Sequence, residues 1–207
     1  MKQSLFGLGL VLLLCSLHVN ATPVNTAAPI AQIEAMLAKP DTLCGRFDQR
    51  KKLVGMKQIL LSNGRFCVIA GKGILWRTLQ PFPNTLRLTR DEIVHFQEER
   101  VALRLEAQQE PTVRMINNVL FSLLSGDLSQ LDTLFDIDGS VTRADWKVAL
   151  RAREPALARA IGTLALEGNE YVRRIQIDDA GGDHTEITFS AIETGATAIH
   201  AEEAALF

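Results

Sequence analysis

Two short runs of alternating polarity, Cys44-Gly-Arg-Phe-Asp-Gln49 and Gly64-Arg-Phe-Cys-Val-Ile69, flank the turn-forming Val54-Gly55-Met56. Alternation with a period of two marks strands that bury one face. A hairpin folded at that turn pairs residues whose numbers sum to about 111. Cys44 then stands opposite Cys67, Arg46 opposite Arg65 and Phe47 opposite Gly64, while Phe47, Gln49, Phe66 and Val68 share the other face. One face of the hairpin is therefore apolar and the other charged, with both cysteines on the charged, outer face. No other feature of the chain restricts the fold as tightly.

The compartment decides what those cysteines do. Lys2 supplies a positive start, Leu5 to Leu17 an apolar core, and Val19 and Ala21 the small residues of a cleavage site. Residues 1–21 are predicted to be a secretion signal cut after Ala21. The apolar run is too short to span a membrane comfortably, and Cys15 follows Leu14 rather than the small residue that a lipidated cysteine would need. Export exposes the chain to oxidising conditions, which makes Cys44 and Cys67 a candidate disulfide acting as a cross-strand staple; the alternative is two separate buried thiols. Two cysteines without a nearby histidine or third thiol do not make a four-ligand zinc shell, so no metal is expected.

Residues 22–207 fit one domain of ordinary size. The chain is 47% apolar and 22% charged, a globular composition, with 22 basic against 24 acidic residues. That balance argues against phosphate-driven binding of nucleic acid.

Read coarsely, Ala27 to Lys39 places Ile30, Ile33, Met36 and Leu37 at helical spacing and stops at Pro40. Short strands follow at Ile74–Leu79, Thr85–Thr89 and Glu92–Phe96, separated by the turn signals Gln80-Pro-Phe-Pro-Asn84 and Arg90-Asp91. From Pro111 to Leu124 the apolar residues, Met115, Val119 and Leu123 among them, recur with helical period up to Ser125-Gly126-Asp127. A short helix near Leu128–Phe135 precedes strands near Ala144–Arg151, Thr163–Gly168, Tyr171–Asp178 and Thr185–Ile192. The expected fold is α+β: an antiparallel sheet of roughly eight to eleven strands with helices segregated to one face. The Ala-rich tail from Gly195 to Phe207 carries only weak signals and receives no assignment.

Catalytic patterns are missing from the sequence. There is no Gly-x-Ser-x-Gly elbow, no P-loop and no His-Glu-x-x-His zinc helix. His95, His184 and His200 lie in a strand, beside a turn and in the tail, with no nucleophile pattern beside them. Asp136-Ile-Asp-Gly-Ser-Val-Thr-Arg-Ala-Asp145 has the look of a calcium loop, but Gly139 is at the fourth place and Lys147 stands where the bidentate Glu belongs, so a solvated turn is expected. Gly71-Lys72-Gly73 has no following helix to cradle phosphate and is expected to be a turn. Arg46, Arg50, Lys51, Lys52 and Lys57 border an apolar hairpin face, a combination that suits either anionic lipid headgroups or an acidic partner, or else only a solvated hairpin end.

Gly45-Arg-Phe-Asp-Gln49, Leu61-Ser-Asn-Gly-Arg-Phe66, Leu75-Trp-Arg-Thr78, Gln80-Pro-Phe-Pro-Asn-Thr-Leu86 and Thr89-Arg-Asp-Glu-Ile93 occur in an order that resembles the LolA-like periplasmic lipoprotein carriers. Phe135, Gly139, Trp146, Leu150, Ile175 and Gly182-Asp-x-Thr-x-Ile-x-Phe189 look like that superfamily's second set of strands. The resemblance spans roughly residues 28–192. It implies an incomplete antiparallel barrel, a half-pipe, whose helices form a lid over a concave apolar face where acyl chains bind, without catalysis or cofactor. Phe47, Phe66, Val68, Ile74, Trp76, Leu86 and Leu88 fall on alternating positions that would line that face, opposite helical Met115, Val119 and Leu123.

The implied role is a monomeric periplasmic carrier taking a lipoprotein or lipid from an inner-membrane donor towards an outer-membrane acceptor. The alternative is a lipoprotein-sensing regulator with the same fold; an acyl-group enzyme is disfavoured by the missing nucleophile pattern. The chain departs from the carriers where their gating Arg-Pro pair should stand. It has Ile69-Ala-Gly-Lys-Gly73 instead, and Lys72 lacks the planar fork of arginine.

Overall fold

The computed structural model describes residues 27–97, 100–106, 108–109, 114, 118–119, 121–122, 126, 128 and 131–207. The hairpin forms with the register read from its alternation. Strand β1 (Thr42–Lys52) pairs with β2 (Ile59–Ile69) so that Cys44 faces Cys67, Arg46 faces Arg65 and Phe47 faces Gly64. A Cβ on Gly64 would lie 2.7 Å from Cε1 of Phe47, so glycine is what lets the ring lie across the partner strand.

Nine more strands extend this pair: β3 (Gly73–Gln80), β4 (Asn84–Leu88), β5 (Glu92–Gln97), β6 (Arg100–Glu106), β7 (Phe135–Val141), β8 (Trp146–Ala152), β9 (Thr163–Gly168), β10 (Val172–Asp178) and β11 (His184–Thr194). They form one antiparallel sheet of 11 strands in the order β6-β5-β4-β3-β2-β1-β11-β10-β9-β8-β7, with β6 and β7 as its edges. The sheet is an open α+β half-barrel, as expected. Each strand is hydrogen-bonded to its chain neighbour except β6 and β7, which stand at opposite edges, and β1 pairs on its other side with β11. That pairing brings the two halves of the chain together.

Helix α1 (Ala27–Met36) lays Ile30 and Ile33 on the sheet, and Leu37 follows them into the core. Leu128 and α2 (Leu131–Leu134) cover the same face, and so do the helical residues Val119 and Phe121. Helix α3 (Pro155–Ile161) buries Leu157 beside β8. Proline suits its first turn, where an N–H would have no helical partner.

Four segments depart from expectation, helix α3 being one for which the sequence suggests no element. Strand β6 has no counterpart in the sequence reading. Residues 135–141 form a strand rather than a solvated turn: Phe135 and Ile137 are buried while Asp136, Asp138 and Gly139 are exposed, so the acidic pattern is the outward half of a period of two. The tail closes with α4 (Ala201–Ala204) and docks on the sheet. Residues 1–21, Met115, Leu123 and Ser125 lie outside the described residues.

Candidate functional site

The concave face carries two rows of paired side chains in the β2–β6 half. One runs Phe66, Trp76, Leu86, His95, Leu103 and the other Leu43, Val68, Ile74, Leu88, Ile93, Leu105. In antiparallel pairing, directly opposed residues share a face, so each row is a continuous strip. Burial falls along the first strip: Phe66 is buried, Trp76, Leu86 and His95 are half-buried, and Leu103 is 51% exposed. The strip is apolar except at His95.

At the deep end of the strip the aromatic rings interlock. Phe47 stacks on Trp76 at 3.9 Å between centroids, and Phe189 meets Phe66 edge-on at 4.9 Å. Such pairs prefer these offset or edge geometries. Phe189 stood in the family-like ending of the chain but not among the expected lining residues. Its alternation with Ile187 in β11 was the available signal.

The sequence-predicted lining residues Phe47, Phe66, Val68, Ile74, Trp76, Leu86, Leu88 and Val119 do gather in one cluster. Most of them are packed against neighbours rather than facing open space. The void beside Phe66, bordered by Leu37, Leu43, Tyr171 and Phe189, measures only about 20 Å³, room for about one water. A roomier cavity of about 560 Å³ opens one strand-end away. It is bounded by Val68 and the β2–β3 turn through Lys72, by Thr89-Arg-Asp91 after β4, and by Asn118, Phe121, Ser122, Thr133 and Leu134. This volume is in the range of small-molecule sites. Lys72 lies in the turn, as expected, and on the rim of this cavity.

The opposite face holds a different arrangement. Cys44 and Cys67 are disulfide-bonded, and they lie on the face that their register assigns. That face is not open to solvent there, contrary to expectation: Cys44, Cys67, Leu75 and Ala198 are buried under Ile199, Leu206 and Phe207 of the tail. Three arginines on adjacent strands grip the tail. Arg65 donates to Glu203 at 3.0 Å and to the carbonyl of Ala198, Arg77 donates to Glu202 at 2.8 Å, and Arg87 donates to the carbonyl of Leu206 at 2.8 Å. Glu203 is buried, and it also accepts from the His200 N–H at 3.0 Å, which caps α4. The hydrogen bond from Arg77, then its charge, holds the Glu202 carboxyl below the usual carboxylate range.

Glu203 with the two cysteine sulfurs is the one group of potential metal ligands within reach of one another among the described residues. Both sulfurs are committed to their mutual bond, which leaves no thiolate to donate. His95, His184 and His200 stand in different places: on the concave strip, 2.6 Å from Asp178 across the end of the β10–β11 pair, and at the cap of α4.

Residues 38–201 match the family model of the outer membrane lipoprotein carrier protein LolA. Comparison with curated proteins finds no match. Among solved structures, a LolA superfamily protein from Nitrosomonas europaea is 9% identical, with a TM-score of 0.46 over 82% of this chain and 93% of that one. A lipoprotein-sorting protein domain from Vibrio parahaemolyticus is 10% identical, with a TM-score of 0.44 over 86% of this chain and 96% of that one. The MucA/MucB complex of Pseudomonas aeruginosa matches at 14% identity and a TM-score of 0.45, over 86% of this chain and 58% of that chain.

Proposed function

The chain belongs to the LolA family of outer membrane lipoprotein carriers, and from that premise we propose that it carries the acyl chains of a lipoprotein or lipid across the periplasm. The observation supporting this reading is the graded apolar strip from Phe66 to Leu103, half-covered along its middle and neighboured by a cavity of about 560 Å³. A strip fully buried in packed core would leave nowhere for a chain to lie, and a fully exposed one would be a surface liability.

The mechanism is reversible burial. Each acyl methylene moved from water into the site contributes about 0.8 kcal/mol, so a chain shielded by sheet and helices crosses an aqueous space without covalent chemistry. Phe47, Phe66, Val68, Ile74, Trp76, Leu86, Leu88, Met115, Val119 and Leu123 are the proposed contacts. Those now packed at the deep end become available only when the helical cover shifts. Lys72, at the cavity rim, supplies a cation to the polar end of the cargo, as a single point charge rather than a fork. Residues 1–21 serve as the export signal, and 22–207 as the carrier domain acting between an inner-membrane donor and an outer-membrane acceptor. No helix among the described residues is long and apolar enough to cross a membrane.

The test is native mass spectrometry of protein recovered from the periplasm with its disulfide intact, followed by extraction of bound lipid. A stoichiometric acyl species is expected. Empty protein that also takes up no fluorescent fatty acid would overturn the reading.

A further inference from the structure

The β1–β2 hairpin runs beyond the neighbouring part of the sheet. Strand β3 ends at Gln80 opposite Asn63, so no strand pairs with Ile59, Leu60 or Leu61 on that side among the described residues. What projects there has a repeated composition. The last three cross-strand pairs are Lys52 with Ile59, Lys51 with Leu60 and Arg50 with Leu61. Each joins a cation on β1 to an aliphatic side chain on β2, on alternating faces. The tip adds Val54, Met56 and Lys57.

These aliphatic residues do not belong to the core. Residues 54–61 are all exposed, with Val54 at 66% and Leu61 at 59%. The β3–β4 connection emerges at the same end of the sheet, because β3 runs back towards the hairpin tip. It carries Phe82, exposed at 79%, just past Leu79 at 47%. Isolated exposed apolar residues are ordinary, but a contiguous set rimmed by charge of one sign marks an interaction site. Asp48 lies further back on β1, opposite Asn63, and the acidic groups nearest the tip lie on the hairpin's other flank. Asp183 in the β10–β11 turn accepts from the Val54 N–H at 2.9 Å and sits 3.7 Å from Lys51 Nζ, and Glu186 pairs with Arg50 across β1–β11. The β2 flank, with Ile59, Leu60, Leu61 and Phe82, faces away from them.

We propose that this hairpin, with Phe82, is a docking finger for the surface of an anionic lipid bilayer. The occupant follows from the pairing of charge and apolarity. Aliphatic and phenyl groups enter the boundary between headgroups and acyl chains, while long basic side chains from the partner strand extend back to the phosphates. An uncharged apolar partner would bring no counter-charge to Lys52 and Lys57. Each cation near an anionic leaflet strengthens binding, and the attraction fades with salt. The finger is distinct from the concave strip and the cavity, so docking would bring the carrier to a membrane without occupying its cargo site.

The test is co-sedimentation of the purified protein with vesicles of phosphatidylglycerol and phosphatidylethanolamine, set against vesicles of phosphatidylcholine alone, at low and high salt. Binding to the anionic vesicles is expected, weakened by salt and at least about tenfold poorer on the neutral ones. Leu61→Glu with Phe82→Glu, and separately Lys52→Glu with Lys57→Glu, should each lower partitioning by about tenfold or more. Both pairs are exposed and outside the core, and unchanged thermal unfolding checks that folding is intact. Equal binding to both kinds of vesicle, or binding indifferent to both variants, would overturn the proposal. Dimerisation abolished by Leu61→Glu and Phe82→Glu, with no vesicle binding, would assign the finger to a second copy of the chain instead. Uptake of a fluorescent fatty acid, measured on the same samples, keeps this test apart from the carrier reading: vesicle binding without acyl uptake sinks the carrier and leaves the finger.

Discussion

Two halves of one sheet use the same kinds of side chain to different ends. In the β7–β10 half the rows Ile137, Leu150, Leu164 and Val148, Leu166, Ile175 are buried throughout, with α1, α2 and α3 packed over them. In the β2–β6 half the corresponding rows begin buried and open towards β6. Trp146 shows how far the first half goes: its ring lies over Gly168, where a Cβ would come within 2.6 Å, and its indole N–H is satisfied by the Asn169 carbonyl at 2.7 Å. Trp76 in the other half stacks on Phe47 yet stays half-buried. Burial, rather than residue type, separates a core from a place where cargo can lie. The packed half leaves no room for a ligand, and the half-covered one is where the proposed acyl chain would lie.

The sharpest break between the halves is expected from cavity-making substitutions. Leu150→Ala, at a fully buried position, should cost about 2–5 kcal/mol, whereas Leu86→Ala, half-buried, should cost less than about half as much. Urea unfolding of both variants measures the difference, and equal losses would erase the distinction.

Next in size is the strap on the convex face. Reducing Cys44–Cys67, 23 residues apart in sequence, should remove about 3 kcal/mol of stability through the loop it closes. Acyl affinity should change little, because the disulfide and tail lie behind the sheet. Denaturation with and without reductant, alongside fatty-acid titration, checks both parts; a large loss of affinity would tie the strap to the cargo site.

Binding should respond mainly on the half-covered side. Trp76→Asp is expected to weaken acyl retention by more than about tenfold, since it puts a charge on an apolar surface, and Lys72→Ala by a smaller factor. Competition with a fluorescent fatty acid reads both, and equal or reversed losses would count against this strip.

The smallest effect concerns Glu202. Its carboxyl is held below the usual range by Arg77, so its contribution to holding the tail is present above the ordinary carboxylate pKa and is lost as pH falls through the lowered value. Glu202→Gln should flatten that acid-side loss slightly, and should leave stability at neutral pH nearly unchanged because the group is exposed. Thermal unfolding across mildly acidic pH measures it.

Some of this was legible in the residues. The hairpin register, α1, most strands and the grouping of Phe47, Phe66, Val68, Ile74, Trp76, Leu86 and Leu88 follow from periodicity and turn residues, which are local. Strand β6 escaped because Arg100-Val-Ala-Leu-Arg-Leu-Glu106 follows a charged run and has no turn residue to announce it. Strand β7 escaped because Asp136 and Asp138 imitate a ligand loop while they only fill the outward positions of a strand. Phe189 was visible as a repeat of the β11 alternation.

Alternation and turns were thus enough to determine which residues pair and which face each side chain takes, because a period of two leaves no freedom once one register is set. Tertiary structure alone decided which apolar strip is sealed and which stays half-open, and it alone laid the tail over the disulfide and three arginines. Those outcomes depend on how many elements reach each part of the sheet. Core and pocket are built from the same side chains, and only the neighbours brought from afar in the sequence distinguish them.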